Sequence, residues 1–301
     1  MQSFYALQQS ENQDLKSEEK FLLENIYKLQ DLYVLMLTLL VEIKNEVARI
    51  AEISKKKHLA TESDLNPNQK FINNKVFLSI ENSTSILAYK NDRKLTLWKD
   101  NSKFVKILLE EILESDFYIK YMETIQNNLK EDKKFIEDIY THIIAENEKL
   151  YDFIEDANIG WVDDFPFVNT WLLKAINNLY KEKPLKLASL FKDADDEDFV
   201  LNLFRKVALN HTEFTKDIEA KTPNWDSKRI AEIDLILIKM ALIEFVYFPL
   251  IPTKVSINEY LEIAKDYSTE KSSIFVNGVL DKLLREYEKE NKFKKVGRGL
   301  L

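Results

Sequence analysis

The chain of 301 residues contains no cysteine. That absence removes disulfide staples, thiolate metal sites and a cysteine nucleophile together. It also fits a reducing compartment, so a cytoplasmic location is expected. Glycine is almost as scarce, with four in all, and Gly297 and Gly299 fall in the final tail. Strand-rich folds need glycine at their tight turns, so the scarcity predicts an all-α chain of helices joined by a few loops. Long apolar runs are missing too. The most apolar stretch, Leu32 to Val41, is about half the roughly 20 residues that a bilayer crossing takes. It predicts a buried helix, and no membrane partner is expected. Nor do the opening residues combine a basic region with an apolar core, as a secretory leader would.

The vocabulary of catalysis is absent as well. His58, His142 and His211 are scattered, and none has a glutamate three residues before it, as a helical di-iron bundle would require. There is no HExxH, phosphate-binding loop, dinucleotide fingerprint or nucleophile elbow. Adjacent acids such as Glu110-Glu111 and Asp163-Asp164 point about 100° apart on a helix and do not converge on a substrate. The expectation is a protein without catalytic residues, metal or cofactor.

What is present is an ordinary globular composition, 45% apolar and 31% charged, with a net charge of −8. The charge is uneven. Residues 193–198 (DADDED) hold five acids, whereas the tail carries Lys289, Lys292, Lys294, Lys295 and Arg298 against Glu290. Local patches, not the net value, decide whether a phosphate backbone can be met. The acidic run precedes a helical pattern and complements the positive end of its dipole. The basic tail reads as a solvated, disordered end.

Apolar spacing predicts a long helix capped by Asp14 or Ser17 and reaching about Lys55, apolar nearly all round in its middle and so packed on two neighbours. The lysine run at 55–57 reads as a solvated helix end. Helical patterns recur over 69–90, 101–128 and 132–156, followed by two aromatic-rich helices, the second bracketed by Pro166 and Pro184. A shift of 64 residues lays 132–180 over 196–244, with Asp132, Phe135, Ile154, Glu155, Trp161 and Leu173 recurring as Asp196, Phe199, Ile218, Glu219, Trp225 and Leu237. Either a degenerate duplication or two amphipathic hairpins of like period would produce that echo.

The densest signals lie between Ile233 and Leu284. A helix with core face Ile233, Ile236, Leu237, Met240, Ala241 and Phe245 ends at Pro249 and Pro252. Ser256-Ile-Asn-Glu259 has the form of a capping box, with Val255 and Tyr260 as its staple. A last helix starts at Ser268 or Thr269 and contains Gly278, which suggests close approach by another helix or a ligand, or else a tolerated defect.

The series Ile-Asp-x4-Lys-x-Ala-x-x-Glu, Ile-Pro-x-Lys-Val-x-Ile-Asn-Glu-x-x-Glu-x-Ala-Lys and Phe-Val-Asn-Gly-Val-Leu-Asp resembles the C-terminal part of the NusB family of transcription antitermination factors. The likeness extends back to about Phe199, through the turn at Trp225. The opening Met1 to Ser10 is similar to that family's first helix. The whole resembles the long form of Bacteroidetes-type bacteria, which implies a NusB-like helical bundle with a large helical insertion or N-terminal helical extension. The expected divisions are a first helix at 1–15, an insertion at 16–190, a NusB-like core at 191–288 and a basic tail at 289–301.

The resemblance implies a non-enzymatic RNA-binding protein that pairs with the ribosomal protein NusE on boxA-type leader RNA and joins the RNA polymerase elongation complex. Carried over by position, Tyr5 and Asp234 would meet NusE. Gln2, Lys239, Lys271, Ser272, Phe275 and Asn277 would approach RNA, with Phe275 equally readable as core. At Lys239 the family usually has arginine, so the bidentate fork is lost. Family members also carry an arginine-rich arm before the first helix, which has no counterpart ahead of Met1. A helical protein–protein adaptor with little RNA affinity is the alternative. An RNA methyltransferase fused to such a domain is rejected, since the chain ends where a catalytic domain would begin.

Overall fold

The computed structural model describes residues 1–10, 14–124, 128–181, 183–221, 231–269 and 271–296. Among them every regular element is helical, as the shortage of glycine predicts. In chain order these are α1 (Gln2–Gln9), α2 (Leu15–Lys55), α3 (Glu62–Leu65), α4 (Lys75–Glu81), α5 (Thr84–Asp92), α6 (Leu97–Asp100), α7 (Ser102–Glu114), α8 (Asp116–Glu123) and α9 (Leu129–Ile139). A π-helical turn at Tyr140–Ile144 follows, then α10 (Glu148–Ala157), α11 (Trp161–Asn177), α12 (Ala194–Asn210), α13 (Thr215–Lys221), α14 (Glu232–Tyr247), α15 (Thr253–Tyr267) and α16 (Ser272–Lys289). No helix among the described residues is long and apolar enough to cross a membrane. The chain forms two compact units, one of Met1–Leu23 with Phe191–Leu301, the other of Glu24–Leu190.

The Glu24–Leu190 unit is built on α2, in which every residue from Gln30 to Leu40 is buried. A helix buried on all faces must be enclosed by its neighbours, and two indoles fix them to its backbone. Trp98 Nε1 donates to the Leu35 carbonyl at 2.7 Å and Trp161 Nε1 to the Lys28 carbonyl at 2.8 Å. Asp31, the one acid in that buried span, is met by Arg93, which also reaches Glu24. The Asp14 carboxylate accepts the Lys16 amide and so caps this helix, as expected. Its partly exposed C-terminal turns end in the lysine run. Asp132, fully buried, is held by the Tyr121 hydroxyl and the Lys75 amide.

Several expected boundaries shift. The pattern over 69–90 is two helices, parted at Ser83, whose side chain caps α5. The pattern over 101–128 likewise breaks at Ser115, which caps α8. In both cases apolar residues resume within three positions of the break, so apolar spacing alone does not show it. Pro166 does not bracket a helix. It lies inside α11, where the missing amide leaves only the second residue of the helix without its usual donor.

The other unit has its own core around α14, with Phe204, Val207, Phe214, Ile218, Tyr260, Val276, Leu280 and Tyr287 packed about it. Phe4 of α1 is buried in the same core and meets the His211 ring edge-on at 5.3 Å. The acidic run caps α12: the Asp193 carboxylate accepts the Asp195 amide, and Asp195, Asp196 and Glu197 fill the first turn. Trp225 and Arg298 lie outside the described residues.

The tail departs from expectation in part. Lys292, Lys294 and Val296 are exposed, but Phe293 and Lys295 pack on their unit. Lys295 Nζ donates to the carbonyls of Glu244 and Phe248 at 3.1 and 2.9 Å, closing the C-terminus of α14, and the Val296 amide donates to the Pro249 carbonyl. A cation at that end also meets the negative pole of the helix dipole. Burial pulls the Lys295 pKa down from 10.5 to about 8. Replacing Lys295 with methionine should cost about 1–2 kcal/mol, since two carbonyls lose their donor. Between about pH 8 and 10.5 the unfolded chain holds a proton that the folded chain has released, so this lysine makes stability rise with pH. Urea unfolding across that window should show the rise in the native protein and its loss in the variant.

Candidate nucleic-acid and partner interface

The site expected from the sequence is formed by α14 and α16, with α15 between them in the chain. Helix α14 is apolar nearly all round, and ten of its 16 residues are buried. Each polar group it carries therefore has to be satisfied locally or exposed at an edge.

At its first turn, Asp234 is 4% exposed and accepts a hydrogen bond from the Ser268 hydroxyl at 2.7 Å. Ser268 Oγ in turn lies 2.8 Å from Ser272 Oγ, which accepts the Thr269 amide at 3.1 Å and lies 2.8 Å from Thr269 Oγ1. One chain of hydroxyls thus joins Asp234 to the start of α16. The sequence assigns Asp234 to a protein partner and Ser272 to RNA, and the structure brings the two together. Ser272 is buried, so its hydroxyl orders the turn from beneath. This network also sets the helix boundary. Ser268 and Thr269 precede α16, which starts at Ser272.

Toward the other end of α14, Glu244 is 6% exposed and is held by two hydroxyls of α15: Ser256 and, at 2.9 Å, Tyr260. Burial and the neighbouring carboxylate push the Tyr260 pKa well above its ordinary value. Ser256 is therefore no N-cap. Helix α15 starts at Thr253 after Pro252, without a side-chain cap, and Ser256 sits inside its first turn facing the core. Glu259 is exposed and Val255 is 47% exposed, so neither the box nor the staple forms. The sequence carried a signal for the true arrangement. A lone glutamate inside Ile243-Glu244-Phe245 needs buried donors, and Ser256 and Tyr260 stand four apart on one face of the next helix.

The remaining expected residues differ in access. Lys271 and Asn277 are exposed, while Phe275 is half-buried against the core, so most of its ring serves packing. Gln2 and Tyr5 are exposed on α1, Tyr5 at 40%. Lys239 is half-buried on α14 with no carboxylate partner among the described residues, and burial lowers its pKa. Gly278 is not a point of close approach within the protein. An added Cβ would meet nothing within 4 Å, and the position is exposed. With Lys271 and Ile274, which is 74% exposed, it forms an open face on α16. The N-terminus of that 18-residue helix adds oriented amides and the positive end of a dipole. No group of three or more His, Asp or Glu side chains that could hold a metal ion occurs among the described residues.

The geometry is that of an all-helical unit with a buried central helix, an acid–hydroxyl turn and an open, cation-bearing helix start. The NusB family model matches residues 170–285. The transcription antitermination protein NusB of Salinibacter ruber is 42% identical over 112 residues, covering 37% of this chain and 70% of that protein. The protein of the same name from Chloroherpeton thalassium is 39% identical over 127 residues, covering 40% and 60%. That of Clostridium kluyveri is 36% identical over 112 residues, covering 37% and 69%. The chain belongs to the NusB family. No solved structure gives a significant match.

Two stability predictions follow from this geometry. Ser256→Ala leaves one buried Glu244 oxygen without a donor and should cost about 1–3 kcal/mol in urea unfolding, with no effect expected from Glu259→Ala. Gly278→Ala should stabilise the free protein by about 0.5–1 kcal/mol, because the helix gains propensity and the methyl meets open space.

Proposed function

We propose that this protein is a transcription antitermination factor that binds boxA-type leader RNA together with NusE in the cytoplasm, as part of the RNA polymerase elongation complex and without catalysis. One observation carries the reading. Lys239 is an ammonium half-withdrawn from water with no acid among the described residues to neutralise it. An approaching phosphate would offset that desolvation, and in the family the same position usually holds arginine. Lys271 and the amides at the start of α16 supply further donors, while Asn277 is free to meet base edges or the backbone. In this reading Ser272 positions the turn, and Asp234 and Tyr5 belong to the side that faces NusE. The Glu24–Leu190 unit is an insertion into the family fold.

A second reading, an adaptor with little RNA affinity, draws support from the tail. Lys292 is paired with Asp217 and Glu290, and Lys295 is spent on α14 carbonyls, so these two add nothing to a phosphate grip.

Titration of boxA-type RNA with and without NusE separates the two. The RNA reading expects tighter binding to boxA than to a scrambled sequence, strengthened by NusE. Lys239→Gln and Lys271→Gln should each weaken it and lower the salt slope by about 0.7 per lost phosphate contact on single-stranded RNA. Binding no tighter than to scrambled RNA, even with NusE present, would leave the adaptor.

A further inference from the structure

Within the Glu24–Leu190 unit, and ahead of the family match at 170–285 except for its last four residues, the chain runs from Leu150 to Leu173 without one lysine, arginine or histidine, yet carries Asp152, Glu155, Asp156, Asp163 and Asp164. This stretch forms α10, the turn after it and the first half of α11. Two large apolar side chains stand in the open among these acids: Ile159 is 73% exposed and Phe167 is 58% exposed. Phe167 is braced from behind, its ring 5.8 Å from that of Trp171, which stacks at 4.1 Å on the buried Tyr33. Asp164 is half-buried beside them without a cation among the described residues, and burial, with the neighbouring Asp163 charge, pushes its pKa up to about 6. Exposed apolar groups in the turn before α11 and in its second turn, and a partly desolvated carboxylate between them in the chain, are both costs in the free protein. A ligand that removes both must bring apolar surface and positive charge together.

We infer that the outer face at the start of α11, centred on Ile159, Asp164 and Phe167, is a docking surface for a basic amphipathic segment of a protein partner. The occupant presents an aliphatic or aromatic side chain to Phe167 and Ile159, flanked by lysine or arginine that meets Asp163 and Asp164. Charge complementarity sets the choice of occupant, since phosphates of RNA and anionic lipid surfaces would be repelled here.

The test uses the full chain and two synthetic helical peptides of one amphipathic pattern, lysine–leucine and glutamate–leucine, followed by calorimetry and hydrogen exchange. The lysine–leucine peptide should bind, with protection confined to 152–171, and the glutamate–leucine peptide should not. Phe167→Ser and, separately, the Asp163→Asn, Asp164→Asn pair should each weaken binding about tenfold or more, with helicity unchanged by circular dichroism. Neutralising Asp195 and Asp196 should leave it unaltered. Equal binding by both peptides, protection at 193–198 instead, or no loss in either variant would overturn the proposal. So would a dimer of the chain that Phe167→Ser dissolves, since the face would then belong to a second copy.

Discussion

A helix that is apolar nearly all the way round has to be enclosed, and in the family unit that constraint falls on α14. Its enclosure leaves no water for its two buried carboxylates, yet neither forms an ion pair among the described residues. Asp234 is met by the Ser268 hydroxyl and Glu244 by those of Ser256 and Tyr260. Hydroxyls cost far less to bury than an ammonium or guanidinium, and they point only where their own helix puts them. Each pairing therefore fixes the register of a neighbour. Glu244 sets how α15 lies along α14, and Asp234 sets where the chain turns into α16. Lys295 completes the arrangement by closing the far end of α14 with two carbonyl contacts.

Against that background Lys239 stands out. It sits midway between two carefully satisfied acids on the same helix, half-withdrawn from water, and among the described residues nothing neutralises it. A core that supplies hydroxyls to both buried carboxylates of α14 leaves this ammonium for something outside. The turn ordered by Asp234 presents Lys271 and the amides of α16, so the residues that stabilise the unit also shape the surface offered to a ligand. Gly278 extends the same logic. No neighbour needs its lack of a side chain, so its small size serves whatever approaches from solvent or is simply tolerated.

Helix content, the enclosed middle of α2, the capping role of Asp14, the placing of the acidic run at a helix start and the family itself were legible from composition, period and motif. What escaped was decided by tertiary context. Ser256 and Glu259 satisfy the spacing of a capping box, but a serine in a helix's first turn can face inward as easily as back along the chain. Glu244, twelve residues earlier, claims it. Pro166 looks like a terminator, yet so near an N-terminus it forfeits a single backbone bond, which α11 tolerates. The tail looks solvated because its charges are counted and its phenylalanine is not. Phe293 packs toward Phe245 at 6.1 Å and carries Lys295 to the end of α14. Of the expected site, exposure could be guessed for Lys271 and Asn277. The merging of the partner and RNA sets through Ser268 could not, because the linking residue belongs to neither motif.

Charge distribution finally bears on how one chain could serve an RNA-facing and a protein-facing role. A net charge of −8 looks hostile to nucleic acid only if it is averaged. The segment from Leu150 to Leu173 holds five acids and no lysine, arginine or histidine, and DADDED is largely absorbed at the start of α12. These two segments alone hold ten acids, more than the whole net excess, so the rest of the chain is close to neutral or slightly basic. Fields at physiological salt decay over about 8 Å. Acids gathered on separate segments therefore need not weaken a phosphate contact at Lys239 or Lys271 unless they lie within that range. The same concentration of charge gives the segment from Leu150 to Leu173 a local sign that the net value does not describe.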